Sequence, residues 1–250
     1  MSAAVPLIEI CVEGIDGLLA AEAAGADRVE LCASLVEGGI TPSLGTVREA
    51  LKLATIPFHV IVRPRGGDFL YSEAEFASMV SDVAALRELG VAGVVVGCLT
   101  PDGNIDEPRM SALVEAAGPL AVTCHRAFDM TRDPHAALEA LVRAGVHRVL
   151  TSGQRDTAVE GIDLLAALVK QAAGRIVIMG CGALAPDNIG AVRAGTGMTE
   201  LHFAALKDVP SAMRFRNPNV GMGGSDLDRE YRNTLTDGEL VAATIAAARA

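Results

Sequence analysis

The stretch Cys124-His125-Arg126-Ala127-Phe128-Asp129 follows the apolar run Pro119–Thr123, so a base, a guanidinium and a carboxylate arrive together where a short buried strand should end. Ionised groups are costly to bury unless paired or used, which marks His125 and Asp129 for proton exchange and Arg126 for anion binding. A second such segment is Arg63-Pro64-Arg65-Gly66-Gly67-Asp68-Phe69. Arg63 and Arg65 suit a carboxylate or phosphate, and the glycines let backbone come close to a ligand. The same residues also suit a rigid turn whose arginines pair with Asp68 and Glu30. A third is the turn Gly180-Cys181-Gly182, with Pro186-Asp187-Asn188 behind it, where backbone N–H groups would do the binding. A purely structural glycine turn fits there too. Glu37-Gly38-Gly39-Ile40-Thr41-Pro42-Ser43 is a further Gly-rich loop, but Thr-Pro-Ser is ordinary helix-start chemistry.

The elements that must position these groups alternate along the chain. Short apolar or β-branched runs predict strands at Leu7–Val12, Arg28–Cys32, Phe58–Val62, Gly93–Gly97, Leu120–Cys124, Arg148–Thr151, Arg175–Met179 and Glu200–Phe203. Ala/Leu-rich helical patterns fall near 15–25, 43–54, 73–89, 106–117, 134–144, 161–173, 186–194 and 237–249. Eight strands alternating with eight helices predict an α/β fold, a single (β/α)8 TIM barrel over 1–250. An open doubly wound sheet is the competitor, but its G-x-G-x-x-G turn is missing. Glycines at 25, 90, 145 and 197 stand where helices should stop, Ser72 and Glu75 resemble a capping box, and Pro134 and Pro186 suit first helical turns. Residues 207–234, with Pro210, Pro218 and mixed charges, predict a long irregular loop before the closing helix at 237–249.

Strand side chains alternate between the barrel interior and the helix layer. One parity is apolar almost throughout, as packing against helices requires. The other carries Glu9, Cys11, Glu30, Cys32, His59, Arg63, His125, Glu200 and His202. Such groups inside a barrel must neutralise one another or meet a polar ligand at the carboxyl-terminal mouth. Cys11 and Cys32 occupy neighbouring strands about 4.8 Å apart, so their thiols could share a soft cation such as Cu(I), or pack as small hydrophobes.

Bulk properties narrow the partners. Half of the 250 residues are hydrophobic, only 3% are aromatic and Trp is absent, so aliphatic side chains must fill the core. A net charge of −10 argues against nucleic acid or anionic membrane as a partner. The five scattered cysteines form no C-x-x-C pair, the N-terminus lacks a signal-peptide pattern, and no apolar run approaches the roughly 18 residues of a span. These features predict a cytoplasmic protein with reduced thiols; a homo-oligomer is left open.

Taken together, Asp27–Cys32, Glu37–Ser43, Arg63–Phe69, His125–Asp129, Leu150–Gly153 and Met213-Arg-Phe-Arg-Asn217 make the chain resemble the CutC family of copper homeostasis proteins over nearly its whole length. The resemblance implies a TIM barrel, a cytoplasmic role in copper tolerance and copper binding. The chain departs from the family pattern at Cys181, within the turn after the seventh strand, and at Ala204-Ala205, where relatives often carry Ser.

Three functional readings follow, the last a structural or interaction barrel that binds no ligand. In the first, copper is held as Cu(I) by Cys11 and Cys32; His125 and His202 could add ligands, or be core histidines satisfied by Glu30 or Asp129. In the second, an enzyme of unknown reaction acts on a small anionic metabolite, with or without a phosphate, and with no organic cofactor. Glu9, Glu30, His125 and Asp129 would then exchange protons, while Arg63, Arg65, Arg126, Ser152, Gly180, Gly182 and His202 hold the ligand.

Overall fold

The structure is a computed structural model and describes residues 5–221 and 227–250. Eight parallel strands close into a barrel: β1 (Leu7–Glu13), β2 (Arg28–Cys32), β3 (Phe58–Ile61), β4 (Gly93–Val96), β5 (Ala121–Cys124), β6 (Arg148–Thr151), β7 (Val177–Gly180) and β8 (Glu200–Phe203). Strands β1 and β8 seal it, with Leu7 opposite Glu200 and Ile10 opposite Phe203. Eight helices follow in order: α1 (Gly14–Ala23), α2 (Leu44–Leu53), α3 (Glu73–Leu89), α4 (Glu107–Ala117), α5 (Pro134–Arg143), α6 (Ile162–Ala172), α7 (Ile189–Thr196) and α8 (Gly238–Arg249). The expected (β/α)8 TIM barrel is therefore the observed fold. No helix among the described residues is long and apolar enough to cross a membrane.

The outward parity of the strands forms the main core. Ile8, Ile10 and Val12 of β1, Val29 and Leu31 of β2 and Val122 and Cys124 of β5 are buried with Leu18, Val47, Met79 and Leu113 from the helices. Local chemistry sets the helix ends as expected at several points. Ser72 and Glu75 exchange the two bonds of a capping box, and Gly90 ends α3 at φ 80°, a left-handed conformation that an L side chain resists. Pro186 behaves differently from the expectation. It lies in a turn and α7 starts at Ile189, because Asn188 accepts from Ala185 N and donates to Ala183 O, closing the 183–188 segment on itself.

Among the described residues, the two ends of the 207–234 loop come together in a ribbon. Leu206–Pro210 (β9) and Arg232–Thr236 (β10) pair antiparallel, with Lys207 opposite Leu235. The ribbon lies against α1, where Gly17 allows the approach: a Cβ there would sit 2.9 Å from Thr236 Oγ1. Part of Met213–Asn217 and its surroundings is exposed, and residues 222–226 lie outside the described residues.

Candidate functional site

The barrel interior is built in two depths. Nearer the amino ends of the strands lies a closed ion-pair network. Arg28 bonds Glu9 and reaches Glu200 Oε2 at 2.6 Å; Arg148 donates to the same oxygen at 2.6 Å and to Glu200 Oε1 at 3.0 Å. Glu9 Oε1 takes His202 Nδ1 at 2.8 Å. Burial pushes the Glu9 carboxyl up, but the His202 bond and charge, with Arg28 and His59, outweigh it and hold Glu9 far below the usual carboxylate range. Arg28 and Arg148 are not among the site candidates that the sequence offers. They open β2 and β6 and share the inward parity of Glu30 and Leu150, which was the available signal.

Nearer the carboxyl ends, β1, β2 and β8 bring Cys11, Glu30, Cys32 and His202 together. Cys11 Sγ and Cys32 Sγ are 3.7 Å apart. With Glu30 they form a group whose ligand atoms lie within 4.8 Å of one another. His202 Nε2 is 3.6 Å from Glu30 Oε2, and Glu30 Oε1 is buried without a hydrogen-bond partner. The hydrogen bond from Cys32 is the main influence on Cys11. With the His202 bond and charge it overcomes burial and brings the Cys11 thiol down to about 5. Sharing that bond and being buried raises Cys32 well above its usual value. Burial, then the Cys11 charge, raises Glu30. Burial opposes ionisation of His202, yet its bonds to Cys11 and Glu9 and the nearby carboxylates raise it. The interior thus sets Arg28, Arg148 and His202 against Glu9, Glu200 and the Cys11 sulfur, while burial favours the neutral forms of Glu30 and Cys32. Ile61 and Val95 pack beside Cys32, and Leu150, Met179 and Cys181 form a second apolar wall.

The other candidate residues sit apart from this group. Arg63 turns its guanidinium into the loops, donating to Glu37 O (2.5 Å), Gly39 O (3.0 Å) and Gly67 O (2.9 Å) and stacking on Phe69. Arg65 pairs with Asp68 and Glu75 and stacks on Tyr71. These arginines clamp the Gly-rich turn, the rigid-turn arrangement, with Glu75 in place of Glu30. His125 caps the turn after β5 by accepting from Ala127 N at 3.1 Å. Its ring packs 4.9 Å from Phe69 and fits over Gly97, where a Cβ would fall 2.5 Å from His125 Cε1. None of its described bonds reaches Glu30 or His202. Asp129 accepts from Thr151 Oγ1 (2.5 Å), from the N–H groups of Ser152 and Gln154, from Ser152 Oγ and from Arg126 Nε (2.8 Å), so it ties β6 to the turn after β5. Arg126 also donates to Ser152 Oγ at 2.7 Å. It shares a cleft of about 280 Å³ with Cys11, Cys181, Gly182, His202 and Ala204, whereas Gly180 ends β7 below it.

Two buried histidines give the fold an acid-sensitive side. Burial lowers His59 to about 4, and burial with the Arg63 charge lowers His125 to about 3. Both are neutral when folded and take up protons when unfolded below pH 6.5. Between pH 6 and 5 these two rings together take up about 1.5 to 1.8 protons on unfolding. Stability should therefore fall as pH drops through this window, by about 2 kcal/mol per pH unit. Urea denaturation midpoints across pH 5–7 would check this, and a flat profile would contradict it.

Comparison with known proteins agrees with this architecture. The sequence model of the CutC family matches residues 6–207. A Mesorhizobium japonicum protein named as a CutC family member is 78% identical over 245 residues, covering 98% of this chain and 95% of its own. A human protein named copper homeostasis protein cutC homolog is 46% identical over 231 residues, covering 92% of this chain and 85% of its own. A crystal structure of CutC from Streptococcus agalactiae superposes with a TM-score of 0.75 at 34% identity, covering 79% of this chain and 98% of that one. The phosphoribosylanthranilate isomerase of Pyrococcus furiosus, at 15% identity and a TM-score of 0.54 over 97% of this chain and 98% of its own, shares the fold alone. The match along nearly the full length, on a barrel of the same kind, means that this chain belongs to the CutC family.

Proposed function

We propose that this chain handles copper by holding a Cu(I) ion between Cys11 Sγ and Cys32 Sγ at the barrel mouth. The observation that carries the reading is the pair of sulfurs 3.7 Å apart, where the bond from Cys32 draws the Cys11 thiol down toward its thiolate form. Thiolates are soft donors that select Cu(I) over hard cations. The unpartnered Glu30 Oε1 adds a polar atom at the same point. The copper homeostasis names of the human and mouse relatives support the same direction. A reducing, cytoplasmic setting belongs to the proposal, since an oxidising one would favour joining the two thiols.

The electrostatics suit a monovalent ion. Cu(I) would replace the single proton between the sulfurs, so the site's net charge would not change. The His202–Glu9 pair would keep its role of holding Cys11 deprotonated and oriented. Because Cys11 is already ionised above about pH 5 and Cys32 is not, binding near pH 7 should release one proton per Cu(I). Affinity should then rise about tenfold per pH unit. Anaerobic Cu(I) titration by calorimetry, in buffers of different protonation enthalpy, counts that proton. Release of none, or an affinity independent of pH, would sink the proposal.

A further inference from the structure

The cleft above the thiols has a second end with different chemistry. Its walls there are Arg126 and the segment Gly182-Ala183-Leu184, with Ala204 beside them. Strands β7 and β8 stop pairing at Gly180 and Leu201, so the backbone beyond them leaves the ladder. Among the described residues, the N–H groups of Gly182, Ala183, Leu184 and Ala204 donate to no protein acceptor; Ala183 and Ala204 are exposed, whereas Leu184 is buried and Gly182 half-buried, where nearly all amides are paired. The carbonyls of this turn are tied back on its far side: Gly182 O accepts from Ala158 N at 2.9 Å and Ala183 O from Asn188 Nδ2 at 2.9 Å. A planar trans peptide points N–H opposite to C=O, so the amides of Ala183 and Leu184 are aimed away from those anchors. Gly182 at φ 101° and Ala183 at φ 51° hold this path, and for Ala183 it is a conformation that alanine resists. Successive N–H groups in such a turn form a nest for an anion.

Arg126 complements the nest. Asp129 and Ser152 fix its Nε and Nη2, while Nη1 has no protein partner among the described residues. No carboxylate lines the cleft, in a chain whose net charge is −10.

We propose that this end of the cleft binds the phosphate of a small phosphomonoester, with Arg126 Nη1 and the amides of Gly182, Ala183, Leu184 and Ala204 as donors. The rest of the molecule then points toward Cys11 and His202, which line the same cleft. A volume of about 280 Å³ limits it to a few carbons beyond the phosphate. The site goes beyond the copper reading and does not depend on it.

Calorimetric titration of the full chain with glycerol 3-phosphate, inorganic phosphate and glycerol tests the proposal. Glycerol 3-phosphate should bind most tightly, inorganic phosphate more weakly and glycerol not at all. Arg126→Ala should weaken glycerol 3-phosphate by about tenfold or more, the scale of one charge-assisted hydrogen bond. Arg126 also supports Ser152, so Ala183→Asp is the second variant. Aspartate tolerates a left-handed φ better than alanine, so this variant should keep its melting temperature while its carboxylate repels the phosphate. Absence of phosphate binding at millimolar concentrations, unchanged binding in both variants, or equal affinity for inorganic phosphate and glycerol 3-phosphate would each overturn the proposal. Cu(I) titration of the same variants reports on copper separately.

Discussion

Cys11→Ser/Cys32→Ser should weaken Cu(I) binding by about four orders of magnitude. In four-ligand zinc sites the binding free energy of 10–16 kcal/mol amounts to about 3 kcal/mol per ligand, or roughly a hundredfold for each donor lost. Two sulfurs supply the soft donors at the barrel mouth, and a hydroxyl is a poor substitute for Cu(I). Each single variant should fall in between. Cys11→Ser removes the ionised member; Cys32→Ser removes the donor that holds Cys11 at about pH 5, so Cys11 should titrate nearer its ordinary range. Competition against a colorimetric Cu(I) chelator gives all three affinities. Wild-type affinity in the double variant would remove the thiol site from the account.

Glu9→Gln should destabilise the fold by about 3–5 kcal/mol at pH 7, the range for breaking a buried ion pair by removing one partner. Glu9 is 1% exposed and meets Arg28, His202 and, at 3.8 Å, His59. The neutral amide leaves Arg28 sharing Glu200 with Arg148 and leaves His202 without its closest carboxylate. The pH dependence follows from the signs of the shifts. Glu9 is held low when folded, so its contribution is complete above the unfolded value of about 4.5 and fades as pH falls below it. His202 is raised when folded, so its contribution is complete below about 6.5 and fades as pH rises through the folded value. The gap between wild type and variant should therefore be widest between about pH 4.5 and 6.5 and shrink on either side of that window. Since His202 also orients Cys11, the variant should bind Cu(I) about 10–100-fold more weakly, the usual cost of losing a supporting bond to a ligand. Urea denaturation at pH 4, 7 and 9 checks the first claim; equal stability at pH 7 would contradict it.

The period-two pattern made much of this barrel legible. All eight strands were visible as short apolar runs, and parity alone placed Glu9, Cys11, Glu30, Cys32, Glu200 and His202 on the inner face. Arg28 and Arg148 escaped because an arginine opening a strand is usually solvated, and only closure of the barrel buries them. The partners of Arg63 were invisible for another reason. Its acceptors are carbonyl oxygens of Glu37, Gly39 and Gly67, and a sequence does not show which backbone atoms a loop presents. Asp129 and His125 have the residue types of proton-transfer groups. Whether a carboxylate meets amides or a ligand depends on the path of the β6 loop. The ribbon of β9 and β10 was missed because its strands are short, contain Pro210 and pair across more than 20 residues, beyond any local pattern. The unpaired amides of Gly182–Leu184 are the same kind of feature: the glycine turn was visible, and the direction of its N–H groups was not.

X-ray absorption at the copper edge of the anaerobically loaded chain tests the central claim most directly. The account predicts a Cu(I) edge with two sulfur scatterers in the first shell, lost in Cys11→Ser/Cys32→Ser. A first shell of nitrogen and oxygen alone, or a sulfur shell that survives the double substitution, would contradict it.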